Sequence, residues 1–438
     1  MSTPAPPRQL ARITQEQLDA VIKRHEMFRN ARMGGARAVL AHFDLSGLDL
    51  TGRDLAHADF TASILRGTRL SGARLDCATL FACDLRNASM EGVSLVKADL
   101  RGACLRGANL TGANLFDADL RDGSMAAKDR DGSIRVLTVE TSPSDMQGAN
   151  LSSANMTNVR MGGAVAMHTD FSDAIMRGAK LVRANLRNAQ MNGTILEGAD
   201  LSGADVRGAS LKGAVLTGAT LTLTEFAGAD MTGVLTDKPA GKALEQLPRP
   251  LSELVKLHTG WVYSAGQEGM PLDLSGMDVR AGGGSLAHAM LTRMVGRGAV
   301  FFGLDLAGAQ MQAAHLEDAD FRTCVLEGAD LRGAALRGSL FNNARLRGAN
   351  LDYLQISADR QVVTDLEGAK LRYADLSGVK LRKANLRGAD LAFADLRGAD
   401  LRGIDLTRAN LAGAKYTADQ FTNAVLEGAT GLPKAITG

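Results

Sequence analysis

Arg66, Arg86 and Arg106 recur at intervals of twenty residues, and three guanidiniums held in register could grip an anion or an acidic partner. Arg101 and Arg121 repeat the interval, as do Arg382 and Arg402. Asp84, Asp99, Asp119, Asp390 and Asp400 interleave with them, so the plainer reading is a solvated lattice of ion pairs, each contributing little. Arg66, Arg86 and Arg106 form the sharper candidate, because only Asp84 is an obvious local counter-charge. His57 and Cys77 share the interval, but two ligands do not make a stable metal site, and Lys97 comes next in their column. No metal site is expected.

His25 and His258 draw notice because they lie in matching segments. LDAVIKRHEMF (18–28) aligns without gaps on LSELVKLHTGW (251–261), pairing His25 with His258 and Phe28 with Trp261. The apolar positions make one helical stripe, and Thr14 with Gln17 fits a capping box before the first copy. A histidine packed where such a helix meets the rest of the chain is the plain account of both.

The usual signatures of catalysis are missing. The chain holds no GxxxxGKS/T loop, HExxH, GxSxG or dinucleotide fingerprint. The glycine run at 282–285 does not sit at a strand-to-helix turn. No enzyme activity and no cofactor are expected.

The element that must position these side chains is a repeat. Leu45, Leu50, Leu55, Phe60 and so on to Leu120 fall every five residues, a period that fits neither helix nor strand. The surrounding text reads as in ADLSG (374–378) and ADLRG (394–398). Leu45, Leu85, Leu120, Leu201, Leu331 and Leu391 are read as inward-facing centres. Met125 is a marginal centre, and residues 126–145 then break the frame with a DRDG turn beside IRVLTV, the pattern of a projecting loop or hairpin. Within it Arg130, Asp131 and Arg135 are candidate partner contacts. The frame resumes at Met146, is lost in the proline-rich stretch after Leu235, and is disturbed again at SADRQVVT.

These breaks divide the chain into an N-terminal tail and capping helix (1–44), a first array (45–235) with loop 126–145, a linker and second capping helix (236–285), and a second array (286–438). Each helix copy is followed by an Asp-Leu-Ser-Gly opening, at 44–47 and 273–276. Two similar modules are expected, each a short helix closing one end of a repeat array.

The period, with a small residue two before the Leu and Asp or Asn one before it, resembles the pentapeptide-repeat family. That resemblance implies an all-β solenoid, a right-handed quadrilateral β-helix with short α-helical caps. In ADLRG the only apolar pair is separated by two, which agrees with an inward Ala and Leu.

Composition narrows the partners. Across 438 residues, 50 basic and 48 acidic groups nearly cancel, so no global field selects nucleic acid or anionic lipid. No run of apolar residues is long enough to span a membrane, and the first residues lack the apolar core of a secretion signal, so a cytoplasmic protein is expected. Cys83 and Cys324 replace the small inward residue of the repeat and read as core.

The expected function is a non-enzymatic scaffold offering rigid faces and a loop to a protein partner. The alternative comes from quinolone-resistance members of the family, which resemble duplex DNA and engage DNA gyrase. This chain departs from them in its charge balance, its length and a C-terminus without a dimerising helix.

Overall fold

The computed structural model describes residues 10–123, 125–128, 134–137, 143–280 and 285–433, without the side chains of 125–128 and 134–137. The chain forms two compact units, Met1–Lys238 and Pro239–Gly438.

In unit 1, short parallel bridges link residues twenty apart, as in Asp44↔Ile64↔Asp84↔Cys104. The chain therefore coils with twenty residues per turn, and each coil hydrogen-bonds to the next. Leu45 N donates to Ile64 O at 2.7 Å and Leu65 N to Asp84 O at 2.7 Å. Unit 2 repeats this from Asp273↔Val295, inside the segment 236–285 that the sequence assigns to linker and helix. Its first two bridges span 22 residues, Asp273↔Val295 and Asp278↔Val300, before the spacing settles at twenty.

Each pentapeptide has a local physical logic. The centre points inward: Leu45, Leu85, Leu120, Leu201 and Leu331 are fully buried, and Leu391 is 1% exposed. Two residues later the backbone turns with positive φ, which glycine adopts freely, as at Gly67 (φ 60). The Asp or Asn before the centre fixes that turn by accepting from the backbone two residues on, as Asp44 Oδ1 does from Ser46 N at 2.9 Å. In unit 2 the centres Phe301, Phe321 and Phe341 stack at 4.9 and 5.0 Å between ring centroids.

The small inward residue carries a second device. Where it is Ser, Thr or Cys, its side chain donates to the carbonyl of a centre one coil below. Thr194 reaches Phe171 O at 2.8 Å and Ser339 reaches Leu316 O at 2.8 Å. Cys83 and Cys324 are core residues as expected, and each thiol also points at such a carbonyl, Phe60 O at 2.9 Å and Phe301 O at 3.0 Å.

Six short elements precede or flank the coils. In unit 1, β1 (Ala11–Arg12) pairs in parallel with β2 (Phe43–Asp44), and α1 (Gln15–Arg29) lies between them. In unit 2, β5 (Lys242–Ala243) pairs in parallel with β6 (Met277–Asp278), with α2 (Leu251–Tyr263) between. The predicted Thr14/Gln17 capping box is present on α1, whereas α2 has Pro250 at its N-cap and no side-chain cap.

Two of the frame breaks, at 126–145 and at SADRQVVT, are antiparallel hairpins. β3 (Met125–Lys128) pairs with β4 (Ile134–Leu137), so Met125 belongs to a hairpin and is not a repeat centre. In unit 2, β7 (Leu354–Gln355) pairs with β8 (Gln361–Val362), where the sequence shows only a short disturbance.

Candidate functional site

The arginine column is built from turn chemistry. Asp84 accepts from Arg86 Nε at 2.8 Å and Nη2 at 2.7 Å, while the same carboxylate takes Arg66 Nε at 2.5 Å. Arg101 forms the same fork on Asp99, and Arg121 on Asp119. Arg402 does so on Asp400, but Arg382 reaches across the second hairpin to Asp352 at 2.9 and 2.5 Å. Asp390 takes Arg372 at 3.5 Å.

Arg106 corrects the sequence reading that only Asp84 balances its column. It donates to Asp145 at 2.5 Å, a carboxylate that enters the column only after the insertion. Asp119 is 6% exposed; burial opposes its ionisation, yet the Arg121 hydrogen bonds and nearby Arg160 hold its carboxyl below the usual range. Each of Arg66, Arg86 and Arg106 already has a carboxylate beside it, so an arriving anion meets negative charge as well as guanidinium.

His57 and Cys77 both occupy positive-φ turn positions on the exterior. Among the described residues no group of three His, Cys, Asp or Glu side chains could hold a metal.

The helix histidines act as backbone acceptors. His25 Nδ1 accepts from Ala38 N at 3.0 Å and His258 Nδ1 from Leu272 N at 3.0 Å. The other nitrogen of His258 faces Thr292 O at 3.1 Å, which fixes a neutral ring that accepts at Nδ1 and donates at Nε2. Burial holds both rings below the usual histidine pKa. Each stacks on the aromatic three residues later, Phe28 at 6.0 Å and Trp261 at 5.5 Å.

These anchors correct the alignment of the modules. Ala38 matches Leu272, and five residues later Phe43 matches Met277, each paired by a leading strand. Leu40 is thus the counterpart of Leu274, and the two Asp-Leu-Ser-Gly motifs are one pentapeptide out of step.

The hairpins share a neck. Ser144 Oγ donates to Leu100 O at 3.0 Å and lies 2.9 Å from Arg121 O. Thr364 Oγ1 does the same in unit 2, toward Leu331 O at 3.3 Å and Asp352 O at 2.8 Å. Beside each hydroxyl an Asp pairs with an Arg of the coil below, Asp145 with Arg106 and Asp365 with Arg337 at 3.2 Å. The ladder crosses both insertions, through Cys104↔Asp145 and Ala335↔Asp365. Ser144 and Asp145 therefore belong to the coil, although the sequence puts them in loop 126–145. Arg130 and Asp131 lie outside the described residues, and Arg135 lies on β4 with its side chain outside the description.

A family model described as pentapeptide repeats matches residues 36–123, 144–235, 314–352 and 364–430, more than half of the chain. The chain belongs to the pentapeptide-repeat family. The matched stretches stop and restart at the two hairpins, so these are additions to the pentapeptide pattern.

Among solved structures, a pentapeptide-repeat protein of the Arabidopsis thaliana thylakoid lumen is 33% identical over 26% of this chain, with a TM-score of 0.22. This chain spans 66% of that protein, just under two thirds of its length. HetL, a pentapeptide-repeat protein involved in heterocyst differentiation regulation in the cyanobacterium Nostoc sp. strain PCC 7120, is 21% identical over 92% of both chains, with a TM-score of 0.21. Full-length QnrB1, a plasmid-mediated fluoroquinolone resistance protein, is 20% identical over 46% of this chain and 92% of its own, with a TM-score of 0.21. Among curated proteins nothing matches the chain.

Proposed function

We propose that this pentapeptide-repeat protein is a non-enzymatic interaction scaffold. In this reading each module is a right-handed, four-sided coil, closed at its start by α1 or α2, that holds a hairpin out to a protein partner. The supporting observation is the shared neck. The same hydroxyl, aspartate and arginine seal each insertion while the ladder passes beneath it, so the stack does not need either hairpin. An element that the stack does not need, carried on a rigid support, is a natural place for recognition.

A gyrase-directed role by DNA mimicry would call for a dominant acidic surface. Here the aspartates of the arginine columns are engaged by guanidiniums, which argues against that alternative.

The test is affinity capture from the native cell with the full chain beside hairpin-deleted chains that remain folded. A protein captured by the full chain and lost with one hairpin supports the scaffold. Identical captures from all of them count against it.

A further inference from the structure

In unit 1 the start of the coil is filled by polar side chains. Gln15 behaves like a strand: its carboxamide accepts from Asp49 N at 2.9 Å and donates to Asp49 O at 3.0 Å. Arg53 closes over it, 3.5 Å from Asp19 and 3.8 Å from Glu26. Beneath this cover Leu18, Ile22 and Leu50 are at most 1% exposed.

Unit 2 has the same helix and coil but, among its described residues, not the same filling. Counting from the aligned helices, Pro248 stands where unit 1 has Gln15, and Ser252 where it has Asp19. Counting along the coil, Leu286 replaces Leu50, Ser285 replaces Asp49 and Ala289 replaces Arg53. A cavity of about 560 Å³ opens there, lined by Leu251, Val255, Leu286 and Ala289, with Leu244 on one wall. Leu251 and Val255, counterparts of the buried Leu18 and Ile22, are only partly covered. The size falls within the roughly 300–1,000 Å³ range of ligand clefts, and the lining is mainly apolar.

We propose that this cavity is a docking site for an extended segment of a protein partner. An aliphatic side chain of the segment enters between Leu251 and Leu286. Its main chain lies along the coil edge at Ser285, as the Gln15 carboxamide lies along Asp49 in unit 1. Lys256 on the rim and the uncapped first turn of α2 favour an acidic residue next to that side chain. Glu245 stands on the rim as well, so the acidic residue belongs on the Lys256 side. This site is separate from the hairpins, and either reading can fail alone.

The test uses the full chain and capped tripeptides, followed by the methyl resonances of Leu251, Val255 and Leu286. Acetyl-Ala-Leu-Ala-amide should give saturable shifts, and acetyl-Ala-Ser-Ala-amide should bind about tenfold more weakly or worse, having no apolar side chain to bury. Acetyl-Asp-Leu-Ala-amide should bind tighter than the first, and Lys256→Gln should remove the gain. The double change Ser252→Asp with Ala289→Arg rebuilds the cover of unit 1 and should abolish the shifts while leaving thermal unfolding in place. Three results would overturn the proposal: no saturable shift, equal binding of the serine peptide, or binding that survives in the double variant.

Discussion

Arg106 and Asp145 stand 39 residues apart in the chain, yet their side chains meet at 2.5 Å across the base of the first hairpin. The contact joins the column that looked most like an anion site to the neck of the insertion. It also supplies the counter-charge that the linear sequence hides.

Removing one such arginine should therefore do little to stability. Arg86 and Arg106 are about half exposed, and exposed pairs are typically worth about 0.2–1 kcal/mol. Thermal unfolding of Arg86→Ala should follow that of the wild type closely. A large loss would show that the columns are structural ties and not a solvated lattice.

The interior is far less tolerant. Leu85 and Leu391 are buried centres, so Leu85→Ala or Leu391→Ala should cost about 2–5 kcal/mol in chemical denaturation. Leu85→Asp should prevent proper coiling, because an unpaired carboxylate would enter an apolar channel. A Leu391→Asp protein that unfolds at the wild-type temperature would contradict the inward assignment.

Register predicts how the first hairpin can be cut out. Cys104 and Asp145 are paired although 41 positions separate them, 21 more than a regular coil. Deleting the 21 residues 123–143 restores the frame, keeps Ser144 and Asp145 and leaves Asp122 at a positive-φ turn that Pro143 could not adopt, so circular dichroism and the melting transition should be preserved. Deleting 126–145 removes both residues and leaves the spacing one too long, which turns inward residues outward in the next coil. That variant should melt earlier. Equal melting of the two would show that the neck carries no structural role.

Thiol chemistry should separate the cysteines. Burial pushes the Cys83 thiol up to about 12 and raises that of Cys324, whereas Cys77 is exposed. Brief maleimide treatment of the folded protein at pH 8, read by mass spectrometry, should label Cys77 and spare Cys83 and Cys324. Early labelling of Cys83 would place it outside the core.

Acid should loosen the helices before it reaches the carboxylates. His25 and His258 have lowered pKa values in the folded state, chiefly through burial. Arg29 and His57 also lower that of His25, while Asp54 raises it. The unfolded chain therefore binds more protons once the pH falls below about 6.5, and stability drops from there toward the folded pKa. Denaturation at pH 7.5, 6.5 and 5.5 should show this loss, and His258→Gln should reduce it. A wild-type profile flat across that window would remove the histidines from the account.

The period of five, the inward Leu and the helix stripe were all legible, because each repeats and repetition exposes its own spacing. Asp145 was missed as a partner of Arg106 because an insertion hides register that only the ladder restores. The Asp-Leu-Ser-Gly motifs misled for a related reason: identical pentapeptides fit any side of the coil, and only the histidine anchors show which side is meant. The second hairpin was obscured by its brevity, and Thr364 looks like any other small inward residue until its bond to Asp352 O is seen. The cavity in unit 2 depends on Pro248, Ser285 and Ala289, which carry meaning only beside the Gln15, Asp49 and Arg53 they replace.

The central claim is that the hairpins, and not the coil faces, meet the partner. A photo-crosslinking residue at Ile356, which is 53% exposed beside β7, should give a discrete adduct in the native cell. The same residue at Arg347, whose side chain is 71% exposed on a regular coil, should not. An adduct at Ile356 alone is the predicted result. Matching adducts at both positions, or an adduct only at Arg347, would contradict it.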